Sequence, residues 1–220
     1  MAGRISLSGA ARPRPAHRLG HPYGGWAWLG LGALLIAGTL LVWLQPSSRW
    51  DWQPALAGAE PWRAWSAVFV HWSRQHLQAN LGACAVVAWF GWAARVPLRA
   101  VGAYLLAWPL TQWGLLLKPD LLHYGGLSGY LHAGVAVVLV ELVFGPAVQT
   151  THSARQRRIG LAVTLGLAIK LWSEVPLGTP MRTVAGWDIP VAPFAHLSGA
   201  VAGGLCAGLL LMLQRRSTAR

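Results

Sequence analysis

Six long apolar runs, separated by short polar clusters, leave this chain few folds to choose from. The runs cover roughly residues 26–45, 76–94, 101–117, 126–144, 159–172 and 191–213. A helix of about 20 apolar residues spans a hydrocarbon core of roughly 30 Å, and in lipid every backbone polar group must be satisfied within the protein. The sequence therefore predicts an all-α, polytopic membrane protein with six transmembrane helices. Composition supports this: 55% of the residues are hydrophobic and 11% are charged, against roughly 25% charged in a soluble domain. The membrane domain is expected over residues 23–214, between basic tails at 1–22 and 215–220.

The net charge of +12 does not point to nucleic acid, because the basic residues sit in short clusters between apolar runs. Cytoplasmic segments of membrane proteins retain Lys and Arg. With the N-terminus inside, the cytoplasmic side receives Arg4, Arg12, Arg14, Arg18, Arg95, Arg99, Arg155, Arg157, Arg158, Arg215, Arg216 and Arg220. Arg49, Arg63, Arg74, Lys118 and Arg182 fall outside, and Lys170 lies within the fifth run. Both termini are thus expected in the cytoplasm. Residues 1–22 contain no apolar core or cleavage site, so no removable leader is expected. Trp50, Trp52, Trp62 and Trp65 in the first external connection suit the headgroup level. Cys84 and Cys206 lie inside apolar runs without metal-ligand spacing and read as small core residues. No cofactor or metal is expected.

Runs two, four and six all travel from outside to inside, and each begins with polar groups: His76 and Asn80, then Ser128 and His132, then His196. The helix rise puts them at similar depth. Ionisable groups in a membrane are costly and face a bundle interior or a water cavity. The stretch around Ser128, Gly125-Gly126-Leu127-Ser128-Gly129, is rich in glycine, although each helical Gly costs about 1 kcal/mol relative to Ala. Gly125, Gly129 and Ala133 repeat every four residues, as do Ala195, Gly199 and Gly203. Such ladders let helix backbones touch. Runs four and six are therefore expected to meet closely, with Ser128 and His196 beside the seam and within hydrogen-bond reach, as an activated nucleophile requires. His132, one turn beyond Ser128, is the competing base and is read instead as a group packing on or orienting His196. Lys170 and Glu174 have i,i+4 spacing and are expected to pair with each other, with contact to a substrate as the alternative reading. Glu141 lies about 20 Å along the fourth run from Ser128 and is expected near the cytoplasmic surface.

These residues resemble the rhomboid family of intramembrane serine proteases. Trp62-Arg63 is similar to the family's Trp-Arg pair in the first external loop. His71, His76 and Asn80 match its His-x4-His-x3-Asn pattern, Gly126-Leu127-Ser128-Gly129 its Gly-x-Ser-Gly motif, and Ala195-His196-x-x-Gly199-x-x-x-Gly203 its sixth-span motif. The resemblance implies a Ser128–His196 dyad with no acidic third member. It implies an oxyanion site made by His76, Asn80 and the Ser128 backbone N–H. Gly126, Gly129, Gly199 and His132 would support the dyad or line the pocket, and Trp62, Arg63 and His71 would be structural. His132 stands where many rhomboids have Tyr, and Gly-Leu-Ser-Gly-x-Leu-His is similar to the rhombosortase branch. That likeness implies membrane-anchored protein substrates carrying a C-terminal Gly-Gly motif, an apolar span and a basic end. It also implies a bacterial inner membrane, with the site facing the periplasm or exterior.

Overall fold

A computed structural model describes residues 22–146 and 150–218. Among them the chain is helical, with two isolated β-bridges, Trp52↔Tyr124 and Arg182↔Val191. The helices are α1 (Pro22–Val42), a short α2 (Arg63–Ser66), α3 (Arg74–Ala93), α4 (Leu98–Trp113), α5 (Ser128–Phe144), α6 (Thr150–Ser173) and α7 (Pro193–Thr218). Three segments are long and apolar enough to cross a membrane: Tyr23–Val42, Leu98–Leu117 and Pro193–Thr218. Large apolar side chains cover their outward faces, among them Leu34, Leu41, Leu105 and Leu205. Such a surface suits lipid rather than water.

α5 lies at the centre, packed on α3, α4, α6 and α7. Its 17 residues are apolar on nearly every face, and Tyr130, Ala133, Val137 and Val138 are completely buried. A helix that is hydrophobic all round belongs in a core. An aromatic column steadies its first turns: Trp28 stacks on Tyr104 at 4.7 Å, Tyr104 on Tyr130 at 4.1 Å, and Trp108 closes on Tyr130 at 4.9 Å. The column needs glycine at Gly91, where a Cβ would lie 2.3 Å from the Trp28 indole nitrogen.

Several boundaries differ from the sequence expectation, each for a local reason. α5 begins at Ser128, not at 126, because Gly126 has φ +116°, which a right-handed helix cannot contain. Gly125 is therefore off the expected ladder and packs against Val70 and Trp72. α6 starts at Thr150, so Arg155, Arg157 and Arg158 are helical rather than part of a connection. Arg, Gln and Ala are good helix formers, and a helix need not end where hydrophobicity does. By the same logic α7 continues through Arg215 and Arg216, and Arg215 donates to the Phe144 carbonyl at 2.5 Å. Of the expected tails, residues 1–21 and 219–220 lie outside the described residues. Trp52 is fully buried, unlike Trp62 and Trp65, so it is a core residue and not a headgroup anchor.

The α5–α7 seam is a backbone contact. A Cβ on Gly199 would come within 1.9 Å of the Gly129 carbonyl oxygen, and one on Gly203 within 2.2 Å of the Ala133 carbonyl oxygen. Gly204 faces open space on the same helix. Gly199→Ala should therefore lower stability by about 1–3 kcal/mol through overpacking, whereas Gly204→Ala should be neutral or slightly stabilising, since Ala is the better helix former. Thermal unfolding of both variants in the same detergent checks the contrast.

Candidate functional site: a Ser–His pair at the α5–α7 seam

The turn leading into α5 is held on two sides. Trp52 and Tyr124 exchange backbone hydrogen bonds of 2.7 and 2.9 Å, and the Gly126 N–H donates to the Ala67 carbonyl at 2.9 Å. Only glycine fits at 126: its φ is left-handed, and a Cβ would lie 2.6 Å from His76 Nε2. The chain then enters α5 with Ser128 as its first residue. The Tyr124 hydroxyl is hydrogen-bonded to the Ser128 side chain and accepts from the Gly129 N–H at 3.2 Å, satisfying one of the donors left free at a helix start.

α7 enters through Pro193, whose missing N–H is harmless in a first turn. Three residues later, His196 is buried with its Nε2 3.1 Å from Ser128 Oγ. Its Nδ1 lies 2.7 Å from Glu174 Oε2. A carboxylate can only accept, so Nδ1 carries the proton and Nε2 is left to accept from the Ser128 hydroxyl. The expectation of a pair without an acidic neighbour is thus corrected. Glu174, one residue past α6, also meets Lys170 Nζ at 2.7 Å through Oε1. Burial opposes ionisation of Glu174, but its bonds with His196 and Lys170 outweigh this and hold its pKa at about 2.

His132 stacks on His196, with ring centroids 4.3 Å apart and planes 17° from parallel. Its Nδ1 is 2.6 Å from the Ser128 carbonyl, so that nitrogen is a donor fixed to its own helix. The ring is a slab against which His196 is held flat. Ser128, His196, His132, Gly129 and Gly199 therefore come together.

The α3 groups are arranged differently. The His76 ring lies against Gly126 and Trp72, and the Asn80 amide donates to the His76 carbonyl at 2.9 Å. His76 Nδ1 and Asn80 Oδ1 are buried without a hydrogen-bond partner among the described residues. His71 sits 4.7 Å from His76, ring to ring, and donates from Nδ1 to the Phe69 carbonyl at 3.2 Å. Burial pushes the His71 imidazole down to about 4 despite that bond, so it is neutral at ordinary pH.

Trp62 is exposed, with the Arg63 guanidinium 4.9 Å from its ring centroid. Arg63 itself is buried and donates to Glu60 at 2.6 Å, to the Ser48 carbonyl at 3.0 Å, and to the Asp51 carbonyl and carboxylate at 2.9 and 3.2 Å. Asp51 also pairs with His123 Nδ1 at 2.6 Å. This cluster flanks the Trp52↔Tyr124 bridge and so fixes the turn that presents Ser128. Glu141, in the last turn of α5, pairs with Arg99 at 2.5 Å.

Sequence reasoning missed Tyr124, and it read Glu174 as a partner of Lys170 or a substrate contact, not as a neighbour of His196. The signal for Glu174 was its place near the start of the loop joining the fifth and sixth runs, which returns the chain to the level of His196. No family model matches the chain, and no curated protein matches it.

The Arg63 cluster is testable. Asp51 is 2% exposed, so Arg63→Met leaves a buried carboxylate to His123 and Gln53 alone and should cost up to about 3–5 kcal/mol, the full loss for a buried charge left without any partner. Arg63→Lys should recover only part of this, because a point charge cannot reproduce the guanidinium fork. Unfolding in detergent of both variants beside the parent measures it.

Proposed function

We propose that the protein is an intramembrane serine endopeptidase of rhomboid type. In this reading its six long helices are six spans, both termini are cytoplasmic, and the Ser128 end faces the periplasm or exterior of a bacterial inner membrane. The observation that carries the reading is the 3.1 Å contact from His196 Nε2 to Ser128 Oγ, across a helix seam too tight to loosen.

The reaction follows from that contact. A Ser hydroxyl is a weak nucleophile until a neutral imidazole takes its proton. As Ser128 Oγ attacks a peptide carbonyl, its proton passes to His196 Nε2. The oxyanion forms at the N-terminus of α5, where free backbone N–H groups and the helix dipole favour negative charge. The Ser128 N–H is one donor, and His76 and Asn80 on α3 are the side-chain donors. His196 then protonates the leaving amine, and water, activated by the same imidazole, hydrolyses the acyl-enzyme.

The substrate is a membrane-anchored protein cut near the outer edge of its span, at a C-terminal Gly-Gly signal of rhombosortase type. Backbone-to-backbone packing beside Ser128 leaves little room for bulky side chains, and Gly-Gly unwinds readily because Gly loses most entropy when held helical.

Ser128→Ala and His196→Ala should each reduce cleavage of such a substrate to background while leaving a folded membrane protein. Full cleavage by folded Ser128→Ala would refute the Ser128 mechanism, whereas no cleavage and no labelling of Ser128 by a fluorophosphonate in the parent chain would favour a non-catalytic membrane binding protein. Replacing Gly-Gly by Val-Val or Leu-Leu should slow cleavage at least tenfold, about 1.4 kcal/mol in the barrier. Equal rates would remove the Gly-Gly specificity and leave a general protease.

A further inference from the structure

Glu174 has no part in a two-residue mechanism, yet the chain bends directly after it to bring α7 back to its carboxylate. α6 ends at Ser173, and Val175 has φ +51°. A β-branched residue with positive φ is a true outlier, where a helix end would ordinarily use glycine. Strain of this kind collects at functional sites. The loop beyond is pinned by Lys118 Nζ, which donates to the Leu177 and Gly178 carbonyls at 3.0 and 2.8 Å. It is also pinned by the Arg182↔Val191 bridge, whose backbone bonds are 2.8 and 2.9 Å. The outcome is one carboxylate with two partners: Lys170 on Oε1 and His196 on Oε2, each at 2.7 Å.

We propose that Glu174 is a positioning residue for the Ser128–His196 pair, making it a triad: its carboxylate fixes the Nδ1–H tautomer of His196 and stabilises the imidazolium formed when Ser128 is deprotonated, while Lys170 moderates that effect by sharing the carboxylate. This rests on the protease reading. Glu174 stays ionised throughout, and the proton moves only between Ser128 Oγ, His196 Nε2 and the leaving group. The charged or titratable groups around His196 among the described residues are His132 on α5, Lys170 on α6, and Glu174 with its backbone neighbour Arg182 in the loop. If Glu174 served only to tie α6 to α7, through its backbone and its bond to Lys170, its charge would not reach the imidazole in the working protein and the acid limb of the reaction would not depend on it. A positioning carboxylate must alter the imidazole's proton affinity, and Lys170 must alter it in the opposite sense.

The test is the rate of Ser128 phosphonylation by a fluorophosphonate, followed against pH in the purified full-length chain. In that reaction an Oγ–P bond forms, the P–F bond breaks, and fluoride leaves as His196 holds the proton. The acid limb reports protonation of His196, since only neutral imidazole accepts the Ser128 proton. A carboxylate at Nδ1 favours the protonated form, so Glu174→Gln should move the limb to lower pH and slow labelling on the plateau at least tenfold. Lys170→Met frees the carboxylate for His196 and should move the limb to higher pH. An unmoved limb in both variants, whatever their stability or plateau rate, would overturn the proposal and leave Glu174 a structural pin. Should Glu174→Gln not fold, the Lys170→Met limb decides alone. Labelling of the parent chain no faster than of Ser128→Ala would remove the protease reading itself, an outcome distinct from an unmoved limb in a protein that labels.

Discussion

The contact between the backbones of α5 and α7 is the constraint on which the rest depends. Without side chains at Gly199 and Gly203, α7 lies directly on the Gly129 and Ala133 carbonyls. In lipid there is no hydrophobic force between helices, so close van der Waals packing of this kind must do the work. A side chain at either glycine would push the helices apart. Ser128 and His196 flank Gly129 and Ala195 at one end of the seam, so their separation is set by backbone geometry rather than by flexible side chains. In the proposed protease the pair needs that rigidity, because small displacements of reacting groups are costly in rate.

Around the seam, polar groups are held from several directions. His132 supports His196 by stacking and is itself tied to the Ser128 carbonyl. Tyr124 supports the start of α5 from below and is fixed in turn by Trp52. The buried Arg63–Asp51 pair, with His123 at its exposed edge, then braces Trp52 and its loop. Burying Arg63 and Asp51 is expensive, and the expense is offset because each has more than one partner. The pathway from Arg63 to Ser128 is one of support, in which each layer fixes the orientation of the next.

Glu174 shows how a membrane protein can add a charge to a site without burying it fully. The carboxylate is half-buried at the end of α6, paired with a lysine one turn back and with His196 across the loop. Lys170 balances the charge at one oxygen, while the second oxygen remains directed at the imidazole. In the proposed function this makes His196 a base of known tautomer before any substrate arrives.

Much of this was legible in the sequence. The apolar runs announced helices, and the small-residue ladders announced that the fourth and sixth would touch, because both features depend on spacing along one chain. Ser128, His196 and His132 were legible for the same reason, being placed by helical periodicity at matched positions on adjoining runs. Only the tertiary structure decided the rest. Gly125 left the ladder because Gly126 turns the chain with a positive φ that no periodicity encodes. Trp52 went inside because its backbone pairs with Tyr124, 72 residues away. Glu174, still on the helical ladder at the end of α6, met His196 because the strained turn at Val175 and the pinned loop beyond it carry the chain back to α7. Periodicity determines which residues share a face of one helix. Which group from elsewhere meets that face depends on loop closure and backbone pairing between distant segments, and those are properties of the folded chain alone.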